Sequence, residues 1–274
     1  MLWGASYPAI KATQAFFPPL AFATFRCAVA AAVLLAVAWP SGALRVTLGL
    51  RDWGLVVLLA LLGNTLFHAL MVTGVHHTSP AHAAVLVAFS PLFAVLLARV
   101  LLGEPLGARR LSGIGLALVG VVVIVTRGGA GTASWLGDLL TLGASLAWAL
   151  YTVLGKPVLA RASPLAVTTW ATLLGALPLL PLGLPGLREV RWGELSLGRW
   201  LLVGYLSAGT IALANLLWYW ALARTTTARV VAFSYLIPVL ATAVAVAAGQ
   251  EAFSVSLALG AVAVLGGLAL VRPG

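Results

Sequence analysis

Charge is what this 274-residue chain lacks most: Asp, Glu, Lys and Arg make up 8% of it, and only six residues are acidic. Soluble domains carry about 25% charged and about 45–50% apolar residues, whereas this chain is 62% hydrophobic with a mean hydropathy of +1.09. No water-facing surface can be assembled from that composition. The chain therefore reads as an all-α integral membrane protein. A bilayer core of about 30 Å takes roughly 20 apolar residues per helix, which leaves room for about ten spans. The lone cysteine, Cys27, excludes an internal disulfide and with it a stapled secreted scaffold. The opening MLWGASY has no basic n-region, so no cleavable leader is expected. HExxH, GxSxG and GxxxxGKS/T are also absent. Metalloprotease, serine-hydrolase and ATP-driven chemistry have no motif to rest on, so neither an enzyme nor a cofactor is implied.

The apolar runs break where turn residues and charges gather, which predicts helices at about 1–14, 20–40, 53–74, 81–102, 110–127, 136–156, 165–184, 199–222, 227–249 and 254–272. Ser79-Pro80 and Ser163-Pro164 place a capping hydroxyl before a proline suited to a first turn. Thr226 and Thr227 offer the same cap to the ninth helix. The one long polar connection, Leu187 to Trp200, reads as an exposed loop with short structure of its own. A net charge of +10 would suggest nucleic acid in a soluble protein; in a membrane it orients the spans. Arg45, Arg51, Arg99, Arg109, Arg110, Lys156, Arg161, Arg224, Arg229 and Arg272 fall on the side of both termini, ten in all. Lys11, Arg127, Arg188, Arg191 and Arg199 make five opposite. The bias puts both termini in the cytoplasm of a multi-pass inner (plasma) membrane protein, whose partners are the lipid bilayer and a small-molecule substrate rather than nucleic acid.

Sliding the chain by 147 residues aligns Pro91 with Pro238, Glu104 with Glu251, Gly113 with Gly260 and Gly120 with Gly267. A shift of 145 aligns Trp3 and Lys11 with Trp148 and Lys156, and VAFS recurs at a shift of 144. The chain thus divides into halves, 1–128 and 129–274, of five helices each. Because five is odd, the second copy enters the membrane from the opposite face, giving ten transmembrane helices as two inverted five-helix repeats. That is an architecture for alternating access. By the same alignment helix one is expected to lack its first two or three turns.

LWGASYPAIK near the start, an arginine inside the second helix (Arg26), and a proline and glutamate thirteen apart followed by spaced glycines in each half resemble the EamA-like family of the drug/metabolite transporter superfamily. The resemblance spans the whole chain, departing from the pattern at the short first helix and at Gln250, where the first half has Gly103. It implies a ten-helix exporter of small metabolites such as amino acids, with substrate held between helices one, three, four, six, eight and nine.

Polar groups inside a membrane are costly and tend to face a cavity or a partner helix. Asn64 and His68, four apart, share a helix face, and Asn215 is the counterpart of His68 in the second half. Helix-to-helix glue is their alternative role. Trp3, Tyr7, Trp148 and Tyr151 form an aromatic pair in each half, suited to walling a small-molecule site or to plain packing. Tyr205 and Tyr235 are weaker candidates of the same kind. Trp218, Tyr219 and Trp220 read as an interfacial aromatic belt. Lys11 and Lys156 are gating or charge candidates that also suit snorkelling. Arg26 either snorkels or pairs with a substrate carboxylate. Glu104 and Glu251 read as structural elements of each repeat, with proton coupling the alternative, and Gly113, Ala117, Gly120, Gly260, Ala263 and Gly267 as packing surfaces. His76, His77 and His82 lack a complete metal-ligand set.

His68 is the only mid-helix group that titrates near neutral pH, and no acid stands at mid-membrane. Proton-coupled and facilitated export both stay open, and a homodimer is compatible with either. The expected activity is secondary export of neutral or zwitterionic metabolites, most simply amino acids. A sugar-phosphate or nucleotide-sugar carrier would want several intramembrane cations, and a non-transporting scaffold has no need of two interchangeable states.

Overall fold

Proline and glycine set where the helices begin, bend and stop. The computed structural model of the chain describes residues 2–3, 6–78, 83, 86–126, 134–237, 239 and 255–271. Its helices are α1 (Ser6–Thr13), α2 (Pro19–Ala38), α3 (Leu50–His77), α4 (Ser90–Leu102), α5 (Ala108–Thr126), α6 (Trp135–Leu159), α7 (Pro164–Ala176), α8 (Leu179–Glu189), α9 (Leu197–Leu222), α10 (Thr227–Ala232) and α11 (Val255–Val271). Pro19 opens α2 and Pro164 opens α7, each where a missing N–H costs no intrahelical bond. Ser163 caps α7 as expected, its Oγ accepting from the Ala166 N–H at 3.2 Å.

Of these, α2, α3, α6 and α9 are each long and apolar enough to cross a membrane, and α7 with α8 makes a fifth if the bent pair is one span. The single helix expected at 165–184 is instead broken, with a 64° bend between α7 and α8. Pro178 stands at the break. Its ring clashes with the carbonyl four residues back and it cannot donate, so the helix turns there. Likewise α4 starts at Ser90, with a turn at Ala88 and Phe89 inside the run expected to be helical from 81. The Leu187–Trp200 connection carries a single 3₁₀ turn, Trp192–Glu194.

Two departures match across the halves. α3 contains a π-helical segment, Ala60–Leu66, and α9 contains another, Tyr205–Leu213. Such segments are rare and concentrate at functional sites. Here the first holds Asn64, with Gly63 leaving the room that the Tyr151 ring of α6 occupies.

The polarity runs opposite to that of a soluble protein. Large apolar side chains such as Val100, Leu139, Leu182, Leu217 and Val262 face outward, while Thr24, Asn64, His68, Thr141, Thr152 and Thr168 are buried. Lipid outside and polar groups inside is the arrangement a bilayer demands. α5 and α11 pack closely against each other at their glycines. A Cβ on Gly113 would come within 2.7 Å of the Gly267 carbonyl oxygen, and one on Gly120 within 2.6 Å of the Gly260 oxygen. These pairings run antiparallel. Val264, rather than the expected Ala263, completes the stripe by lying against Gly120.

Candidate functional site

The ends of the helices are tied by polar groups that find partners. Gly103 stops α4 in a left-handed conformation (φ 65°) that a side chain would resist, and so turns Glu104 back toward α6 and α10. Glu104 pairs with Lys156 of α6. Its carboxylate also accepts from the Thr227 N–H at 3.2 Å and the Thr227 hydroxyl at 2.9 Å. The cap expected from Thr226 and Thr227 is supplied instead by Glu104, from just beyond the end of α4. Burial alone would raise the Glu104 carboxyl, but hydrogen bonds from Lys156 and Thr227, with the Lys156 charge, hold it below the ordinary value. Arg161 meets Asp52 at 2.5 Å. At the other end Lys11 donates to the last carbonyls of α3, Val75 at 2.9 Å and His76 at 3.1 Å, and Thr78 donates to Asp138 at 2.8 Å. Both lysines are held by protein partners, where sequence alone allowed snorkelling to the headgroups.

Between those ends, α6 and α9 bring a group of rings together. Trp148 packs against Trp3 (5.4 Å between centroids), Phe67 (5.0 Å), Tyr151 (5.2 Å) and Trp218 (5.8 Å). Trp3 closes the triangle on Trp218 at 5.3 Å. Two of their polar edges are satisfied: the Trp3 indole donates to the Thr210 carbonyl at 2.9 Å and Trp218 to the Thr152 hydroxyl at 3.1 Å. Tyr151 stacks on Tyr219 at 4.7 Å, and the Tyr219 hydroxyl donates to the Tyr151 carbonyl at 3.0 Å. Trp218 and Tyr219 are thus interior residues; of the expected belt only Trp220 is exposed. Their place at a helix end gave sequence reasoning no signal to separate the two cases.

Polar groups without partners border these rings. Phe67 touches His68, at 5.0 Å between ring centroids. Both ring nitrogens of His68 and both amide atoms of Asn64 are buried and lack hydrogen bonds. Asn64 approaches the Tyr151 hydroxyl without closing a well-formed bond. Arg26 is buried on α2, next in the chain to Cys27. The backbone here is tied tightly: the Cys27 thiol donates to the Asn64 carbonyl at 3.7 Å, and the Thr65 hydroxyl to Gly175 of α7 at 2.7 Å.

The structure therefore brings together Trp3, Trp148, Tyr151, Asn64, His68 and Arg26 from the expected set, and adds Phe67, Trp218 and Tyr219. Asn215 is buried on α9 with its amide nitrogen unpartnered, one turn before Trp218, and no hydrogen bond joins it to His68. Tyr235 is buried with a free hydroxyl and makes no ring contact with the aromatic group among the described residues. Tyr205 instead donates to the Leu2 carbonyl. The side chain of Tyr7, and Glu251, Pro238, His82, Ser79 and Pro80, lie outside the described residues.

Known proteins resemble this chain over most of its length. An uncharacterized transporter of Bacillus subtilis, YyaM, is 28% identical over 269 residues, covering 97% of this chain and 88% of its own length. A probable terminal-alkyne amino-acid exporter of Streptantibioticus cattleyicolor is 30% identical over 246 residues, covering 89% of this chain and 80% of that one. A solved crystal structure superposes with a TM-score of 0.82 at 26% identity over 98% of this chain and 92% of its own. The profile of the EamA-like transporter family matches residues 1–126 and again 135–272. The chain belongs to the EamA-like transporter family, and is a multi-pass membrane transporter.

Proposed function

We propose that the chain is an inner-membrane secondary transporter that exports small amino-acid-like metabolites by alternating access. The observation that carries this reading is the juxtaposition of the Trp3, Phe67, Trp148 and Trp218 rings with the unpartnered Asn64 and His68. An aromatic wall with few convergent polar groups suits a small organic molecule with one apolar part. The Streptantibioticus relative, named a probable terminal-alkyne amino-acid exporter, supports the substrate class.

Two further features favour ten crossings as inverted halves. Under the 147-residue shift the Gly113–Gly267 contact maps onto Gly260–Gly120, so one contact is exchanged for the other, as a two-fold axis between α5 and α11 requires. Every polar tie between helix ends also joins residues that a ten-span alternation puts on the same side: Glu104 with Lys156 and Thr227, Asp52 with Arg161, Lys11 with His76. The positive bias then favours both termini in the cytoplasm. A sugar-phosphate carrier fits less well, because Arg26 is the one buried cation among the described residues.

Counterflow in proteoliposomes loaded with amino acids, nucleosides or sugars tests the reading. Saturable exchange of amino acids is expected, abolished in the double variant Trp148→Ala, His68→Ala at unchanged membrane-inserted protein. Unchanged exchange in that variant would move the site elsewhere. Repeating the assay with and without a proton gradient separates proton-coupled export from exchange.

A further inference from the structure

We propose that Arg26 anchors a carboxylate on the transported molecule, confining the substrates to compounds that carry a single such group beside an apolar part. This rests on the central site being the substrate site.

The first ground is depth. Arg26 is the eighth residue of α2, about 10 Å from the helix start at 1.5 Å per residue. His68 lies nine residues before the end of α3, about 13 Å in from the same face. The two therefore lie at about one level, well inside the apolar layer. The second is enclosure. A snorkelling arginine ends among the headgroups, yet Arg26, whose guanidinium lies 5.5 Å from the ring of Phe22 one turn nearer the start of α2, is only 4% exposed, and its Nε and one Nη have no hydrogen bond.

The third ground is the absence of a protein counter-ion among the described residues. Asp52 is taken by Arg161, Glu104 by Lys156 and Glu194 by Arg191. Asp138 accepts from Thr78, and Glu189 ends α8. A buried guanidinium left alone is costly, and a carboxylate is the ligand its fork of donors matches best. On the neighbouring α3, whose Asn64 carbonyl is 3.7 Å from the thiol of the adjacent Cys27, the Asn64 side-chain oxygen and whichever His68 nitrogen is unprotonated offer acceptors to an ammonium group, and the Trp148 ring and its aromatic neighbours receive the apolar part. Phosphate, with two charges, would find one cation.

The test compares amino acids with their carboxamides as counterflow substrates, the amides keeping the ammonium and side chain and losing the anion. The native protein is expected to favour the acids by about 10²-fold, since a site built for a polar group strongly rejects the analogue that lacks it. Arg26→Gln should bring that ratio close to one, while Arg26→Lys keeps most of it. A structural role for Arg26 would depress acid and amide alike and leave the ratio standing, which would overturn the proposal while transport itself survives. Equal native exchange of acids and amides would overturn it as well. No exchange of any amino acid or amide by the native protein would overturn the transport reading and this one together. Removing an unpaired buried charge should not harm folding, and a monodisperse detergent-solubilised Arg26→Gln protein is expected.

Discussion

The ends of this helical bundle and its centre treat polar groups in opposite ways. At the ends, Glu104 serves Lys156 and Thr227 at once, Asp52 serves Arg161, and Lys11 takes up the carbonyls that finish α3. In the centre, Arg26, Asn64, His68 and the Tyr151 hydroxyl are more deeply buried and keep open valences. The same chain that satisfies its polar groups where water is near leaves them bare where an unmet hydrogen bond costs most. Structural glue would show the reverse pattern, because helix-joining side chains are retained for the bonds they make. On the proposed reading, the centre is completed by a ligand and the ends by the protein.

Asn64→Leu breaks this comparison most sharply. The swap keeps the volume and removes both unpartnered atoms, so the melting temperature in detergent should hold or rise, while exchange falls by roughly 10²-fold. A fall in melting temperature with exchange intact would make Asn64 glue and move it to the side of the ends. Next in size is Gly120→Leu, which changes neither class of polar group. Its side chain would drive α11 off α5 at the Gly260 carbonyl, costing roughly 1–3 kcal/mol as overpacking. Folded yield should drop in step, whatever the substrate.

How far these regions could be read in advance follows the same division. Trp3, Trp148 and Lys156 were legible because duplication marks them, and the glycine stripes because small residues at helical spacing show in the sequence. Ser163 was legible as a cap because capping is local, whereas the cap on Thr227 comes from Glu104, 123 positions away. Trp218 and Tyr219 were misjudged because sequence near a helix end looks alike whether it faces lipid or a neighbour. The burial of Arg26 turns on a choice of direction that α2's own sequence leaves open. Nothing local marked the π segments at Ala60–Leu66 and Tyr205–Leu213, since a widened turn is set by what packs against it.

Glu104→Gln probes the ends at intermediate size. The amide still accepts from Thr227 but loses the charge that Lys156 faces, so about 1–2 kcal/mol of stability should go. The pH dependence has a definite sign. The folded carboxyl titrates below its ordinary value, so its contribution is complete above the unfolded value of about 4.3 and is lost as pH falls through the folded one. Melting curves of native protein and Glu104→Gln should differ most near pH 7 and converge in acid. Curves that stay parallel down to the lowest pH would show that the Glu104 charge contributes nothing to the tie.

Asp52→Asn should have the smallest effect, and that smallness is informative. Arg161 is 61% exposed while Asp52 is 9%, so water already solvates half of the pair and the expected loss is under about 1 kcal/mol. The first-turn position of Asp52 in α3 adds a few tenths through the helix dipole, and the asparagine can still accept from Arg161. Both contributions weaken with salt. The native and Asp52→Asn melting temperatures should therefore differ slightly in dilute buffer and merge at high salt, with exchange unaffected in either. A large loss of exchange at unchanged melting temperature would place this pair among the groups that work on substrate or on the opening of the halves, and the division between satisfied ends and open centre would fail at its most exposed point.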